Sequence, residues 1–386
     1  MKQIYLDNAA TTQVDSKVFL AMKPYFFKKY GNASEPHRMG QEARLAVEQA
    51  REKVADFLGV KQEEIIFTSG ATESINLAHK GLIEALNFKN PHIITSSVEH
   101  KAVLETCKYL ENKEIATVTY LPVNEYGLVN IQNLEKAITD QTVLVSIMYA
   151  NNEVGTIQPI KEIGALLKKQ DHKIYFHTDA TQAIQYLDCS VDNLGVDLLS
   201  FSGHKIYAPK GVGALYIRKG TPLKSQMRGG GQEGGLRAGT ENVPYLVGLG
   251  KAVEMIYDLR FKNDDSVKKL QSLLIEEVLK IPGVKLTGHP AERLPHIASF
   301  IVEGVEGESL VLLLSDKGIS ASTGSACTAS DLVPSHVLSA MGIKAEDAHG
   351  SLRFSLGKDT TEQDIRSVVE VLPGIIDRLR RMAPKL

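Results

Sequence analysis

The sequence predicts an α/β protein: a mainly parallel sheet flanked by helices, followed by a smaller α+β domain. Three observations carry that expectation. Short apolar strands recur, each leading through small or polar residues into a new segment: EEIIFT into SGATESINLAHKGL, PHIIT into SSVEHKAVLETCKYL, TVLVSIMYA into NNEVG, KIYFH into TDATQAI and VDLLSF into SGHK. Their apolar runs are continuous rather than alternating, as expected for strands covered on both faces. After about residue 260 the texture changes to fewer, longer helical patterns mixed with strands.

Taken along the chain, EARLAVEQAREKVADFLG places Ala43, Val47, Ala50, Val54 and Phe57 on one helical stripe, a packing face. VGALYIRK reads as a further strand. DDSVKKLQSLLIEEVLKIPG is an amphipathic helix with an acidic start and Pro282-Gly283 just past its end. HIASFIVEG, GESLVLLLSDKG, GSLRFSLG and TEQDIRSVVEVLPGIIDRLRR then read as strand, helix, strand and helix, with Pro373-Gly374 expected to kink or break the last. The expected division is a large domain over 15–258 and a small one made of 1–14 and 259–386.

Composition narrows the function classes. The 386 residues are 43% hydrophobic and 23% charged, with a formal net charge of −2 and a pI near 6.6, so nothing global attracts nucleic acid or anionic lipid. The N-terminus lacks the apolar core of a secretory signal, and no run approaches the roughly 20 apolar residues of a membrane span. Three cysteines without a CxxC spacing make no disulfide framework, and eleven scattered histidines include no His-x-x-x-His pair. The expectation is a reduced, cytoplasmic, soluble protein with no metal of its own.

In parallel sheets the ligand crevice lies beyond the carboxyl ends of the strands, so the residues there matter most. Lys205 follows a strand in SFSGHKIYAPKG. Alone it is as well read as a surface lysine; with a lowered pKa it is a Schiff-base amine. Ser202 and His204 add a hydroxyl and an imidazole beside it. In HTDATQA, Asp179 is either an N-cap or the carboxylate partner of a protonated pyridine nitrogen, with Gln182 three residues on.

Gly70, Ala71 and Thr72 sit where a strand turns into a helix, so backbone N–H groups and the helix dipole face an anion. Thr240 ends the glycine-rich RGGGQEGGLRAGT, which is either a second phosphate contact or a flexible surface loop. His100 opens a helix in SVEHKAV, as a cap or as a ring lying on a flat cofactor. A lysine, a pyridinium carboxylate, a phosphate cradle and a flat-ring histidine at successive strand ends are the parts that pyridoxal 5'-phosphate needs.

At these residues the chain resembles the NifS/IscS-type cysteine desulfurases, in the class V aminotransferase branch of the fold-type I pyridoxal-phosphate enzymes. The resemblance runs through YLDNAATT, FTSGATESIN, EHKAV, ANNEVGTIQPI, HTDATQA, SFSGHKIYAPKGVGALY, GGGQEGGLRAGTENV, TGSACTAS and LRFSLG, in that order. It implies that Lys205 forms the Schiff base, Asp179 pairs with the pyridine nitrogen, Gln182 contacts the ring oxygen and His100 stacks on the ring. Ala71, Thr72, Ser202 and His204 would hold the phosphate, joined by Thr240 from a second subunit of a homodimer. Asn151 and Arg353 would grip the substrate carboxylate. The planar fork of Arg353 suits that task, and equally suits a structural ion pair.

Cys327 lies in STGSACTASD, among small and hydroxylated residues rather than core aliphatics. The resemblance, of the group I type by this loop, makes it the nucleophile that takes sulfur from L-cysteine as a persulfide, releasing L-alanine. His100 is the implied proton carrier, and Cys107 and Cys189 read as structural. Sulfur would pass to an acceptor such as an iron–sulfur scaffold protein of the IscU kind, and a cluster shared with that scaffold would make Cys327 a joint ligand. The family also admits other reactions, a selenocysteine lyase or another class V lyase or aminotransferase; a nucleophilic thiol separates desulfuration from transamination.

Overall fold

The computed structural model describes residues 3–262, 264–324 and 334–382. The chain opens with a two-residue strand, β1 (Ile4–Tyr5), and then builds a seven-stranded sheet from β2 (Ile65–Thr68), β3 (His92–Ser96), β4 (Thr117–Leu121), β5 (Thr142–Ser146), β6 (Tyr175–Asp179), β7 (Leu198–Ser202) and β8 (Gly213–Ile217). Their order is β2-β8-β7-β6-β5-β3-β4, and β8 alone among them runs antiparallel to its neighbours. The predicted parallel sheet is thus present, with VGALYIRK as its reversed strand. Strands β2, β3, β5, β7 and β8 are buried throughout, which explains their unbroken apolar runs, whereas the edge strand β4 is half-exposed.

Helices cover both faces. The helix Arg38–Leu58 buries Ala43, Val47, Ala50 and Val54 and packs along the helix Val243–Lys262, with Phe57 half-buried at its end. The small residues let the backbones close: a Cβ on Gly250 would stand 2.8 Å from Ala50 Cα. On the opposite face the helices Ala71–Leu86 and Lys101–Asn112 cover Ile66, Ile93 and Leu144. Cys107 and Cys189 are buried in these cores.

A second core forms around a three-stranded antiparallel sheet, β9 (Val284–Leu286), β10 (Ile297–Val302) and β12 (Ser351–Ser355), in the order β12-β10-β9; β11 (Ile319–Ser320) pairs with β1. Phe300, Leu352 and Phe354 of this sheet meet Leu274, Leu310, Leu314, Val368 and Leu372 from its covering helices. Of the kink or break expected at Pro373-Gly374, the break does not occur: the helix Glu362–Met382 runs through the proline. Ile365, Val368, Leu372 and Ile376 are buried on both sides of the proline, so one core holds both halves in register despite the lost donor.

The helix Val243–Lys262 belongs by its packing to the first body, and Asp264–Val278 opens the second. Residues 3–12 belong to both. β1 and the Asp7–Ser355 bridge tie them to the second core, while Thr12 and the carbonyls of Ala9 and Ala10 bond to the first. Among the described residues no helix is long and apolar enough to cross a membrane.

Candidate active site

Beyond the carboxyl ends of β2, β5, β6 and β7 lies a cavity of ≈ 550 Å³, whose lining also includes Gly324 and Arg353. It brings together Ala71, Thr72, His100, Asp179, Gln182, Ser202, His204, Lys205 and Arg353, residues that the sequence spreads over nearly the whole chain.

The anion end is built first. After β2 the chain turns at Gly70, whose φ of +149° is a conformation that side chains rarely adopt, and enters the helix Ala71–Leu86. Glu73 fixes this turn, accepting from Ser69 N at 2.8 Å and from Arg237 Nε at 3.0 Å. The first amides of a helix have no carbonyl one turn earlier to bond, so Ala71 and Thr72 offer donors at the positive end of the dipole. Ser202, at the end of β7, supplies its hydroxyl within 3.5 Å of where a Cβ on Gly70 would sit.

His204 bonds through Nδ1 to the Thr11 hydroxyl at 3.2 Å. Burial, with Lys205 and Lys210 beside it, pushes its pKa down to about 4, so the ring is neutral at pH 7.

The central part follows from β6 and β7. Asp179 is buried at the end of β6 and accepts from Thr181 N at 2.9 Å; the segment after it forms short turns, not the helix that TDATQAI suggested. Lys205 ends a single 3-10 turn after β7, and its Nζ donates to the carbonyls of Ala9 and Ala10, each at 2.7 Å. Gln182 Nε2 donates to the same Ala9 carbonyl at 2.9 Å. The amine is therefore positioned by a strap that lies 195 residues away in sequence.

His100 takes the capping role considered for it. Nδ1 accepts from Ala102 N at 3.1 Å and caps the helix Lys101–Asn112, which leaves the ring proton on Nε2. The ring also lines the cavity, and burial lowers its pKa, with nearby Asp179 acting the other way.

Beside it, Glu99 is fully buried, accepting from Ser96 Oγ at 2.6 Å and Met148 N at 2.8 Å. Burial raises its pKa to about 8, so it is a neutral acid that ties the ends of β3 and β5 together.

Arg353 projects from β12, its Nη1 on Asn152 O at 2.7 Å and its Nη2 on Asp7 Oδ1 at 2.9 Å. Two expected residues lie elsewhere. The Asn151 carboxamide is buried, its nitrogen on Val98 O and its oxygen accepting from Glu153 N and Val154 N, so it shapes the loop while its neighbour Asn152 lines the cavity. Thr240 is exposed and outside the set that lines this cavity. Cys327 lies outside the described residues.

The donor set fits a phosphorylated, cationic heteroaromatic ring: helix amides and a hydroxyl at one end, a buried carboxylate at the other, and an amine between them. A Cβ on Gly213 would stand 2.7 Å from Gly70 Cα, so the cradle needs a glycine there. Motif reading missed Asp7, the Ala9–Ala10 strap, Glu99, Asn152 and the Glu73–Arg237 tie. Most act through backbone groups or on partners distant in the chain, for which no local pattern exists.

The sequence profile of the family described as Aminotransferase class-V matches residues 4–368. A cysteine desulfurase IscS of Methanosarcina thermophila is 52% identical over 383 residues, covering 99% of this chain and 94% of that protein. One from Dictyoglomus turgidum is 50% identical, covering 99% and 97% respectively. A solved structure described as a NifS-like protein superposes with a TM-score of 0.92 at 42% identity, covering 98% of this chain and all of that one.

Proposed function

This chain belongs to the class-V aminotransferase family, and we infer from its cysteine desulfurase relatives that the protein is a cysteine desulfurase, releasing L-alanine from L-cysteine and passing the sulfur on. The observation that carries the reading for these residues is the meeting of Lys205, Asp179 and the Ala71–Leu86 helix N-terminus in one cavity.

In our reading pyridoxal 5'-phosphate is held by the amides of Ala71 and Thr72, by the Thr72 and Ser202 hydroxyls and by His204. Asp179 would pair with its ring nitrogen, Gln182 would contact its ring oxygen, and His100 would stack on the ring. Bound, the cofactor withdraws electrons from an amino acid so that its α-proton and its sulfur are released more easily. Thr240, exposed and outside the lining of its own cavity, would in our reading serve the second subunit of a homodimer.

The remaining work falls to the chain. Arg353 binds the substrate carboxylate, and Asn151 holds the loop that presents Asn152 beside it. Lys205 Nζ would tether the cofactor while no substrate is bound and, once the substrate amine displaces it, would accept the α-proton. Cys327, as thiolate, attacks the substrate sulfur; the S–S bond forms, the C–S bond breaks, and its electron pair returns to the alanine skeleton, which takes up a proton. His100 Nε2, carrying the ring proton at neutral pH, supplies it. The resulting Cys327 persulfide hands sulfur to an acceptor, with an iron–sulfur scaffold protein as the expected class. A thiol nucleophile of this kind suits the reducing cytoplasm.

The test is to incubate the purified, cofactor-loaded protein with L-cysteine and a thiol reductant and to measure alanine and sulfide together. Equal amounts are expected. Cys327→Ser should keep the cofactor colour and lose sulfide, and borohydride should fix the cofactor on the peptide containing Lys205. Native sulfide release from Cys327→Ser, or an adduct elsewhere, would overturn the residue assignments.

A further inference from the structure

Arg353 already holds a carboxylate. Its side chain is 3% exposed, and Asp7 Oδ1 accepts from Nη2 at 2.9 Å while Asn152 O takes Nη1. Nε is buried without an acceptor among the described residues, so the guanidinium keeps an unsatisfied donor. Asp7 is not a swinging surface side chain. Its backbone bridges Ser355, two residues from Arg353 on β12; Asn8 Nδ2 donates to Ser355 O at 3.0 Å and Ala9 N to Ser355 Oγ at 2.8 Å. The backbone that carries the carboxylate is therefore fixed to the strand that carries the arginine.

We propose that Asp7 is a resident carboxylate at the substrate-carboxylate position, holding Arg353 in place in the empty site and opposing the carboxylate of each amino acid that enters. The inference rests on the reading of Arg353 given above. A buried guanidinium with no anion beside it is costly, so a fixed partner keeps the empty site intact. The same partner repels an incoming carboxylate, because two like charges then share one cation in a poorly screened cavity. Asp7 is thus a specificity-determining residue that loosens amino-acid binding, which favours release of the product.

Asp7→Asn separates the two effects, since the amide oxygen still accepts from Arg353 while the charge is gone. The measurement is the Kd of the holoenzyme for L-alanine, from the change in the cofactor spectrum, with ethylamine as a ligand lacking the carboxylate. Asp7→Asn should bind L-alanine about tenfold tighter and ethylamine unchanged. Equal or weaker L-alanine binding by Asp7→Asn overturns the proposal, as does an equal gain for ethylamine. If Asp7→Asn does not load cofactor, Asp7→Ser, a neutral acceptor, decides in the same way. Arg353→Ala serves as the control: native L-alanine affinity there would sink the carboxylate role of Arg353 itself.

Discussion

Gly213 and Gly70 touch backbone to backbone across the end of the sheet: a Cβ on Gly213 would stand 2.7 Å from Gly70 Cα and 2.6 Å from Phe201 O. Gly213 pairs with Thr68 on one side and Ser202 on the other, so it lies under the turn into the helix Ala71–Leu86 and beside Ser202. Gly213→Ala should push the turn outward and weaken cofactor binding by at least about tenfold, or about 1.4 kcal/mol. Titration of the apoprotein with pyridoxal phosphate reads this. Unchanged affinity would show that the turn is not set by this contact.

Glu233 and Arg51 form a buried bidentate pair at 2.7 and 2.8 Å, and they also bond Phe67 N and Ile65 O, the open edge of β2. The pair closes a sheet edge and pins the glycine-rich segment that leads to Thr240. Glu233→Ala leaves Arg51 without its buried partner and should cost about 3 kcal/mol. Urea denaturation measures the loss, and proteolysis within residues 229–240 should accelerate.

His79, His204 and His296 are held neutral by burial, with pKa values pushed to about 4, 4 and 3, and His177 is also well below its ordinary value. Unfolded histidines take up protons near pH 6.5, so the unfolded chain gains protons that the folded one refuses. Stability should be full above about pH 7 and fall as the pH drops from 6.5 toward 4. Glu99 and Glu153, whose pKa values burial raises, work the other way over part of that range, but four rings outweigh two acids. Thermal midpoints at pH 7.5 and 5.0 test the sign, and His296→Asn should flatten the slope.

Glu99 stays protonated to about pH 8 in the fold, whereas an unfolded glutamate ionises near 4.5. Its contribution is present below pH 4.5 and is lost as the pH rises toward 8. Glu99→Gln keeps the acceptor for Ser96 and Met148 and has nothing to ionise, so it should gain about 3 kcal/mol over the wild type at pH 7, and little at pH 4. Denaturation at the two pH values compares them; equal differences at both would refute a neutral Glu99.

Much of the site was legible because its residues follow strands. Asp179, Ser202 and Lys205 each stand at or just past the end of an apolar run, and a parallel sheet lines such ends along one edge. Asn151 shows the limit: from the motif it could not be told from Asn152, and only the hydrogen bonds of its carboxamide reveal which of the two turns into the loop. Pro373 shows another, since local chemistry predicted a kink or break there, and burial on both sides keeps the helix unbroken.

The sequence by itself determined the sheet, the covering helices and the kind of chemistry, because strand burial and side-chain type are written into local runs of residues. Tertiary structure alone decided that Asp7 lies on Arg353, that Ala9 and Ala10 hold Lys205, and that Glu233 closes β2. These pairings join residues as much as 346 positions apart, often through backbone atoms that every residue shares. Such contacts are fixed by how the two cores dock on the N-terminal strap, and no pattern along the chain encodes that docking.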